Sequence, residues 1–395
     1  MEVRQDEEKS LRKNITALGW VAFFGGLSQD MIAPILPTFY SQILGLNKEM
    51  IGIIEGSVTT AVSIMRILSG IISDKIGKRK TLVFIGYLLS ALGRILLSIT
   101  NIGWVAFGLR LTDGVGKGMK DAPRDALVAR SSKMKNMGFA FGYQRMLDTL
   151  GSFIGPLITA GLLAILINYM NVQRYKFIFL IAGIVAFITI LLVGLFVKER
   201  KTEINTNNKF SFDITVFKGK FLLFFIVMLI FTFGNSSDAF LILRAQNVGV
   251  KAAIIPVIIA VFNLIYAILS VPFGVLSDKI GRVQVIKLGW LIYALVYLGF
   301  ALVKSPWQIW ILYIVYGAYY AMTEGVAKSL VAHLVDDLHR GTAFGLYNAS
   351  LGLLALPASA VAGYLWDKVT PAAPFYFGFG CAVIAVILLS IFRLE

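Results

Sequence analysis

Two carboxylates lie inside long apolar stretches of this sequence. Asp30 is followed by Pro34 and Pro37, and Asp238 lies at a comparable depth in a second apolar run. A charge at the centre of a membrane-spanning helix costs about 2.5–3.5 kcal/mol on insertion scales, so such residues usually serve a function. We expect Asp30 and Asp238 to face a central cavity and to bind a proton or a cationic group. The structural alternative is a buried ion pair with an arginine.

Opposite charges also occur in pairs at helical spacing. The pairs are Arg110 and Asp113, Arg145 and Asp148, and Glu324 and Lys328. Residues three or four apart share one helix face, so each pair can neutralise itself within its own helix. That role is the simpler interpretation for Glu324, which lies near a helix end. Five of these six residues, all but Lys328, are candidates for binding the substrate or for proton coupling.

Other polar side chains in apolar runs have two interpretations each. Arg66 lies deep in its run and could pair with Asp30 or with a substrate carboxylate, whereas Arg94 is expected near the outer surface, with its charge reaching water. A tyrosine stripe comprises Tyr313, Tyr316, Tyr319 and Tyr320. An aromatic wall can hold apolar or cationic solutes, although helix packing is the more common role for such a stripe.

The composition indicates which elements must carry these residues. Of 395 residues, 57% are hydrophobic and 15% are charged, which favours a chain solvated by lipid. The net charge of +15 comes from lysines and arginines in short segments between apolar runs, a pattern that reflects membrane topology rather than nucleic-acid binding. Cys381 is the only cysteine, so no intrachain disulfide can form.

Twelve segments are long and apolar enough to cross the ~30 Å hydrocarbon layer, which takes about 20 residues. They are residues 15–42, 50–73, 80–99, 103–124, 137–166, 175–197, 219–244, 251–276, 283–303, 307–332, 341–365 and 373–392. The sequence therefore predicts an all-α polytopic membrane protein with twelve transmembrane helices. Polar residues concentrate in the first, fourth, fifth and tenth of them.

Lysine and arginine concentrate in alternate loops, which places both termini in the cytoplasm by the positive-inside rule. A polar stretch separates the first six helices from the last six. We predict an N-terminal six-helix bundle over 1–200, a cytoplasmic linker over 201–218 and a C-terminal six-helix bundle over 219–395.

The two halves contain similar motifs in register. The first copy has Gly70, Asp74, Gly77 and Arg79, and the second has Gly274, Asp278, Gly281 and Arg282, about half a chain length further on. A Gly-x-Ala-Phe-Gly motif begins at Gly138 and again at Gly341 at nearly the same offset. Such repetition indicates two structural repeats, the architecture of many secondary transporters.

At these residues the sequence resembles the major facilitator superfamily, whose signature is the G-x-x-x-D-x-x-G-[RK]-[RK] loop. The run from Arg110 to Gly116 is similar to the family's fourth-helix motif, which implies a part for Arg110 in proton transfer or anion contact. The run 117–127, KGMKDAPRDAL, resembles a prokaryotic subfamily with poorly defined substrates. The resemblance covers nearly the whole chain and implies two pseudo-symmetric six-helix bundles with the substrate site between them.

The repeated loop has a gating interpretation and a simpler one. Its aspartate could accept hydrogen bonds at a helix N-terminus, and its glycines permit a tight turn. We predict a cytoplasmic gate that forms when the protein faces outward, a role the resemblance also implies. The alternative is an ordinary basic topology loop.

Gly151, Gly155 and Pro156 resemble a fifth-helix motif found mainly in antiporters. The two glycines let the helix approach its neighbour closely, and Pro156 bends it. In antiporters this feature is thought to block leak between the halves. The sequence departs from the fuller antiporter pattern after Pro156, which weakens that likeness.

These features predict a secondary active transporter that moves a small solute across the cytoplasmic membrane by alternating access. Proton-coupled efflux is the leading interpretation, and the candidate proton carriers are Asp30, Asp113, Asp148 and Asp238. The alternatives are an importer or facilitator of an organic anion or metabolite, with arginine counter-charges, and a membrane sensor. No enzyme motif, cofactor or metal is expected. The expected partners are a small-molecule substrate, the lipid bilayer and protons, without nucleic acid, and the protein is expected to be a monomer.

Overall fold

A computed structural model describes residues 2–131, 137–199, 219–335 and 340–392. Within these ranges the regular structure is helical, which confirms the predicted all-α fold. The α-helices are α1 Glu2–Ile32, α2 Leu36–Thr38, α3 Lys48–Ile76, α4 Arg79–Leu97, α5 Gly103–Arg130, α6 Met137–Ile165, α7 Asn171–Phe196, α8 Gly219–Gly234, α9 Ala239–Asn247, α10 Ile255–Ile280, α11 Arg282–Leu302, α12 Pro306–Leu334, α13 Arg340–Lys368 and α14 Ala373–Ile391.

Two segments that we predicted as continuous helices are interrupted. The first predicted helix breaks after Ile32 around Pro34, and the chain resumes as the short α2 followed by a π-helical turn over Phe39–Ile43. Proline has no N–H to donate and clashes with the preceding turn, which explains this break. The seventh predicted helix breaks between α8 and α9, so that Asp238 lies at the break.

Nine helical stretches in the described part of the chain are long and apolar enough to cross a membrane. Helices α1, α5 and α12 are not among them. These helices carry many of the polar residues singled out in the sequence. The protein is a multi-pass membrane protein.

The chain divides into two compact units. Unit 1 comprises Met1–Ile35 and Ala61–Phe210, and unit 2 comprises Leu36–Thr60 and Ser211–Glu395. In unit 1, α1 packs against α6 and α7, and α4 packs against α5 and α7. In unit 2, α12 packs against α10 and α11, and α14 packs against α8 and α11. The predicted bundle boundaries remain a prediction, and the predicted linker 201–218 lies outside the described residues.

The first part of α3 packs closely on α13 within unit 2. A Cβ on Gly56 would lie 2.6 Å from the Cα of Leu356, and one on Gly363 would collide with the backbone of Lys48. Thr60 Oγ1 donates to the carbonyl of Gly352 at 2.6 Å. These backbone approaches explain why residues 36–60 group with the second half of the chain.

Candidate functional site

A buried charge network joins four helices of unit 1. Asp113 on α5 accepts from Arg94 Nη2 at 3.1 Å and from Arg110 Nη1 at 2.7 Å. Arg94 also donates to Ser28 Oγ on α1 at 2.6 Å, and Ser28 in turn donates to the carbonyl of Ala182 on α7. Asp113 therefore holds two arginines, and the network links α1, α4 and α5 to α7.

The expectation that Arg94 reaches the membrane surface is wrong. Its side chain is 4% exposed because it folds inward to the carboxylate of Asp113. A close helix contact makes this possible, since a Cβ on Gly93 would lie 3.0 Å from the carbonyl of Leu109. A guanidinium with a buried counter-charge has no need to reach water.

Asp30 lies half-buried at the end of α1 and hydrogen-bonds to Ser152 of α6. The charged groups that act on it include Lys117 and Asp148. Asp148 is in a loose pair with Arg145 at 3.7 Å, and the Arg145 side chain is 59% exposed. The carboxylates of α1 and α6 therefore lie near one another, without the close arginine clamp that Asp113 has.

Arg66 pairs with a residue that the sequence did not suggest. Its Nη2 lies 2.6 Å from Asp121 Oδ2, so the suggested pairing with Asp30 is wrong. Lys120 Nζ lies 3.9 Å from the other oxygen of Asp121 and 4.4 Å from the centroid of the Tyr87 ring. The partners lie on α3, α4 and α5, which is why sequence spacing could not reveal them.

Sequence reasoning gave no site role to the charged run of α5. Lys117, Lys120, Asp121 and Arg124 occur within about two helical turns, and this density of charge at the end of the predicted fourth spanning segment was the available signal. We call these four residues together with Arg66 the cation cluster.

Glycines hold the helices of the cation cluster close together. A Cβ on Gly86 would lie 2.6 Å from the carbonyl of Gly116, and one on Gly118 would collide with the carbonyl of Val62. Ser69 Oγ donates to the carbonyl of Gly118 at 3.1 Å, which fixes α3 against α5. Small residues permit such backbone approaches in membrane proteins, and the cations are therefore carried on tightly packed helices.

Asp238 is the carboxylate of unit 2 that the sequence placed at a depth comparable to Asp30 of unit 1. Its oxygens accept from the hydroxyls of Tyr316 at 2.7 Å and Tyr320 at 3.1 Å. Asp238 itself is exposed, while Tyr316 is buried. No cation pairs with Asp238 among the residues that the structure describes. An ion pair between Asp238 and an arginine, the structural alternative, is therefore not found within the described residues.

The packing role suggested for the tyrosine stripe of α12 is observed for part of it, and its role as a wall that holds a solute remains a prediction. Tyr316 and Tyr320 reach Asp238, whereas Tyr313 and Tyr319 belong to an aromatic core. That core includes the pairs Phe231–Trp290 at 4.5 Å and Tyr293–Tyr297 at 4.0 Å between ring centroids. Packing of this core fixes the hydroxyls that point at Asp238.

Glu324 lies one turn beyond this stripe on α12. It accepts from the hydroxyl of Tyr266 at 2.6 Å and lies 3.5 Å from Lys328, the partner expected from spacing. The carboxylate and the ammonium are both substantially exposed, so this pair is a weak contributor to stability.

The repeated loops have matching local geometry. Gly77 and Gly281 both have positive φ, at +70° and +93°, which only glycine adopts without strain. Ser73 donates to the carbonyl of Gly70 at 2.8 Å, and Ser277 donates to that of Gly274 at 2.7 Å.

The cations of the two loops have different partners. The backbone N–H groups of Arg79 and Lys80 donate to Glu199, which places a carboxylate at the N-terminus of α4. Arg282 donates to Ser329 at 2.7 Å and lies 3.5 Å from Asp278. The side chain of Asp74 lies outside what the structure describes, and the gating role of both loops remains a prediction.

The glycines of α6 lie directly against α1. A Cβ on Gly151 would collide with the carbonyl of Phe23, and one on Gly155 would lie 2.6 Å from the carbonyl of Leu27. Pro156 lies inside α6, which runs on to Ile165. The antiporter role inferred for these three residues remains a prediction.

Comparison with known proteins identifies the family. The profile of the Major Facilitator Superfamily matches residues 18–244 and 222–395. An uncharacterised MFS-type transporter of Methanocaldococcus jannaschii is 38% identical over 395 residues, covering 98% of this chain and 97% of that protein. The multidrug resistance protein MdtG of Proteus mirabilis is 28% identical over 360 residues, covering 87% of this chain and 86% of that protein.

Solved structures agree with this fold. A mutant form of the nucleoside transporter NupG has a TM-score of 0.81 at 16% identity, covering 96% of this chain and 99% of that chain. Since the family profile extends over both halves and the relatives align over almost the full length, this chain belongs to the major facilitator superfamily, a family of membrane transporters and not of enzymes.

Proposed function

We propose that this protein is a proton-coupled secondary transporter that exports a small organic solute across the cytoplasmic membrane. Both termini lie in the cytoplasm in this proposal, as the loop charges predict. The observation that carries the proposal is Asp238, an exposed carboxylate at a helix break whose described partners are two tyrosine hydroxyls.

A carboxylate with neutral partners suits reversible proton binding. A phenol can donate to an ionised carboxylate and can accept from a protonated one, so both forms of Asp238 keep hydrogen bonds. Asp113 differs, because protonating it would leave Arg94 and Arg110 buried without their counter-charge, which is costly. We therefore assign the coupling proton to Asp238 rather than to Asp113.

The direction of transport rests on two arguments. The relative MdtG is named as a multidrug resistance protein, which supports export for this chain. Gly151, Gly155 and Pro156 occupy the motif that resembles antiporters, and the glycines lie against the backbone of α1. Outward movement of solute in exchange for inward protons is the function that accommodates both.

The test uses purified protein in liposomes that contain a pH-sensitive dye. Solute gradients are imposed with tetraphenylphosphonium as a cation, p-aminohippurate as an anion and adenosine as a neutral solute. We expect at least one probe to drive proton movement in the opposite direction, and Asp238→Asn to abolish the proton signal. The Asp367→Asn variant is the control, since it changes an exposed carboxylate of unit 2 and keeps an acceptor for the Glu49 N–H. Proton movement that persists at full rate in Asp238→Asn would disprove the coupling role.

A second candidate is uptake or facilitated diffusion of an organic anion. The cation cluster of unit 1 favours it, because its positive charges exceed the carboxylates around them. The same liposomes separate the two candidates. A flux of p-aminohippurate that does not depend on the pH gradient would favour the facilitator and count against the proton-coupled exporter.

A further inference from the structure

We propose that the cation cluster of unit 1 binds the anionic group, a carboxylate or a phosphate, of the transported solute. The cluster consists of Arg66, Lys117, Lys120 and Arg124 around Asp121. The inference rests on the proposed transport function and deepens it, because it names the chemical class of the solute.

The cluster has more positive than negative charge. Asp121 is shared by Arg66 and Lys120, and Arg124 lies 3.3 Å from Asp125, whose side chain is 52% exposed. Lys117 adds a fourth cation. Uncompensated buried charge is costly, so an excess of cations among packed helices indicates that an anion completes the site.

Lys117 is the clearest sign of that missing anion. It is half-buried on α5, and no hydrogen bond or ion pair joins it to any residue that the structure describes. The charged groups that act on it are Asp121, Lys120, Asp30 and Arg66. An ammonium that lies among carboxylates and cations, without a hydrogen bond or ion pair to any described residue, is available to an incoming anion.

Arg66 supplies donors beside Lys117. Its Nη2 lies 2.6 Å from Asp121 Oδ2, and the Arg66 side chain is 41% exposed. Its buried Nε lacks a hydrogen-bond partner among the described residues. The guanidinium presents donors in a planar fork that matches the oxygens of a carboxylate or a phosphate.

The packing around the cluster holds α3 and α5 together and restricts the movement of Lys120. The Gly118 Cα lies against the backbone of α3 so closely that an added Cβ would be 3.0 Å from the amide nitrogen of Arg66. Lys120 is 5% exposed and lies over the Tyr87 ring. A cation with little freedom, carried on a fixed helix contact, loses little entropy when a ligand binds, which suits a specific binding site.

The excess of positive charge also limits how much negative charge the bound anion can carry. Counting Asp121 and Asp125 against the four cations leaves two positive charges, and counting Asp30 beside Lys117 leaves one. A single carboxylate or phosphate group matches that range, whereas a polyanion would introduce more charge than the cluster can compensate.

The experiment measures the thermal stability of purified protein in nanodiscs made of phosphatidylcholine. Sodium benzoate and sodium phosphate are the probes, and sodium chloride at equal ionic strength is the reference. We expect at least one probe to raise the melting temperature saturably in the unmodified protein. Lys117→Met should weaken the apparent affinity at least tenfold, while the ligand-free variant stays folded, because the substitution removes a charge that has no partner. Lys287→Met is the matched control, a half-buried lysine on α11 in unit 2, and should leave the affinity unchanged.

Three results would overturn the proposal. They are an equal response to the probes and to chloride, an unchanged affinity in Lys117→Met, and stabilisation by nanodiscs containing phosphatidylglycerol with no response to soluble anions. The last would assign the cluster to a lipid headgroup. The Asp238→Asn variant keeps the two proposals separable, since it should lose proton coupling and retain anion binding. If the unmodified protein coupled solute movement to protons but bound neither anion probe, this inference alone would be rejected.

Discussion

At the scale of single residues, the membrane carboxylates of this transporter fall into two chemical kinds. Asp113 is 5% exposed and is held by two arginines, whereas Asp238 is exposed and is held by two phenols. The first arrangement compensates a permanent charge and resists change. The second tolerates the gain and loss of a proton, which is why the two residues have different roles in our proposal.

The sequence could predict only the part of these contacts that is local. Arg110 and Asp113 are three residues apart on α5, so their pairing followed from helix geometry. The contacts of Asp113 with Arg94 and of Arg66 with Asp121 join different helices. Which helix faces meet is decided by packing, and a single sequence does not specify it.

The first prediction concerns the buried network. Asp113→Asn should lower the free energy of unfolding by about 3–5 kcal/mol, because it leaves Arg94 and Arg110 buried without a counter-charge. The measurement is thermal unfolding in detergent, followed by a thiol-reactive dye at Cys381, the only cysteine.

Asp148→Asn is the control for this prediction. Asp148 lies 3.7 Å from Arg145, whose side chain is 59% exposed, so the pair should contribute at most about 1 kcal/mol. Equal destabilisation by the two substitutions would show that the Asp113 network has no special structural role.

At the scale of helices, the breaks were harder to predict than the spans. Pro34 and Pro37 were visible as breakers, yet the length of the apolar run suggested one continuous helix. The gap between α8 and α9 coincides with Asn235 to Asp238, four polar residues in an apolar run, and it contains no proline. Hydropathy averages over such short interruptions, so the position of Asp238 at a break became evident only from the structure.

The second prediction concerns the contact between α1 and α6. Gly151→Leu should abolish correct folding, because the new side chain would collide with the carbonyl of Phe23 and the backbone has no room to yield. Inserting bulk into a packed core typically costs about 1–3 kcal/mol, and a backbone collision costs more. Size-exclusion chromatography after detergent extraction should show loss of the monodisperse species.

A second glycine on the same helix provides the control. A Cβ on Gly161 would meet no heavy atom within 4 Å, so Gly161→Leu should remain monodisperse and close to the unmodified protein in melting temperature. If both leucine variants behaved alike, close approach at Gly151 would not be the reason for the loss.

At the scale of the whole molecule, the internal repeat was the most informative feature of the sequence. Its two loops share a positive-φ glycine, Gly77 and Gly281, and a serine bonded to the carbonyl three residues earlier. Repetition predicted the twelve-helix architecture that the family match supports, because two similar halves have few ways to be arranged. It did not predict that residues 36–60 would pack with the second half, which depends on glycine contacts between α3 and α13.

The third prediction concerns the orientation of the whole chain in the membrane. Lysine and arginine concentrate in alternate loops, so the segment after α7 should lie in the cytoplasm and the turn between α11 and α12 outside. Lys198 and Lys304 are exposed in these two places. In a Cys381→Ser background, Lys304→Cys should react with a membrane-impermeant maleimide on intact cells, and Lys198→Cys should react only in everted vesicles. The reverse labelling pattern would place the termini outside, and proton-driven movement through Asp238 would then carry solute in the opposite direction to the one proposed.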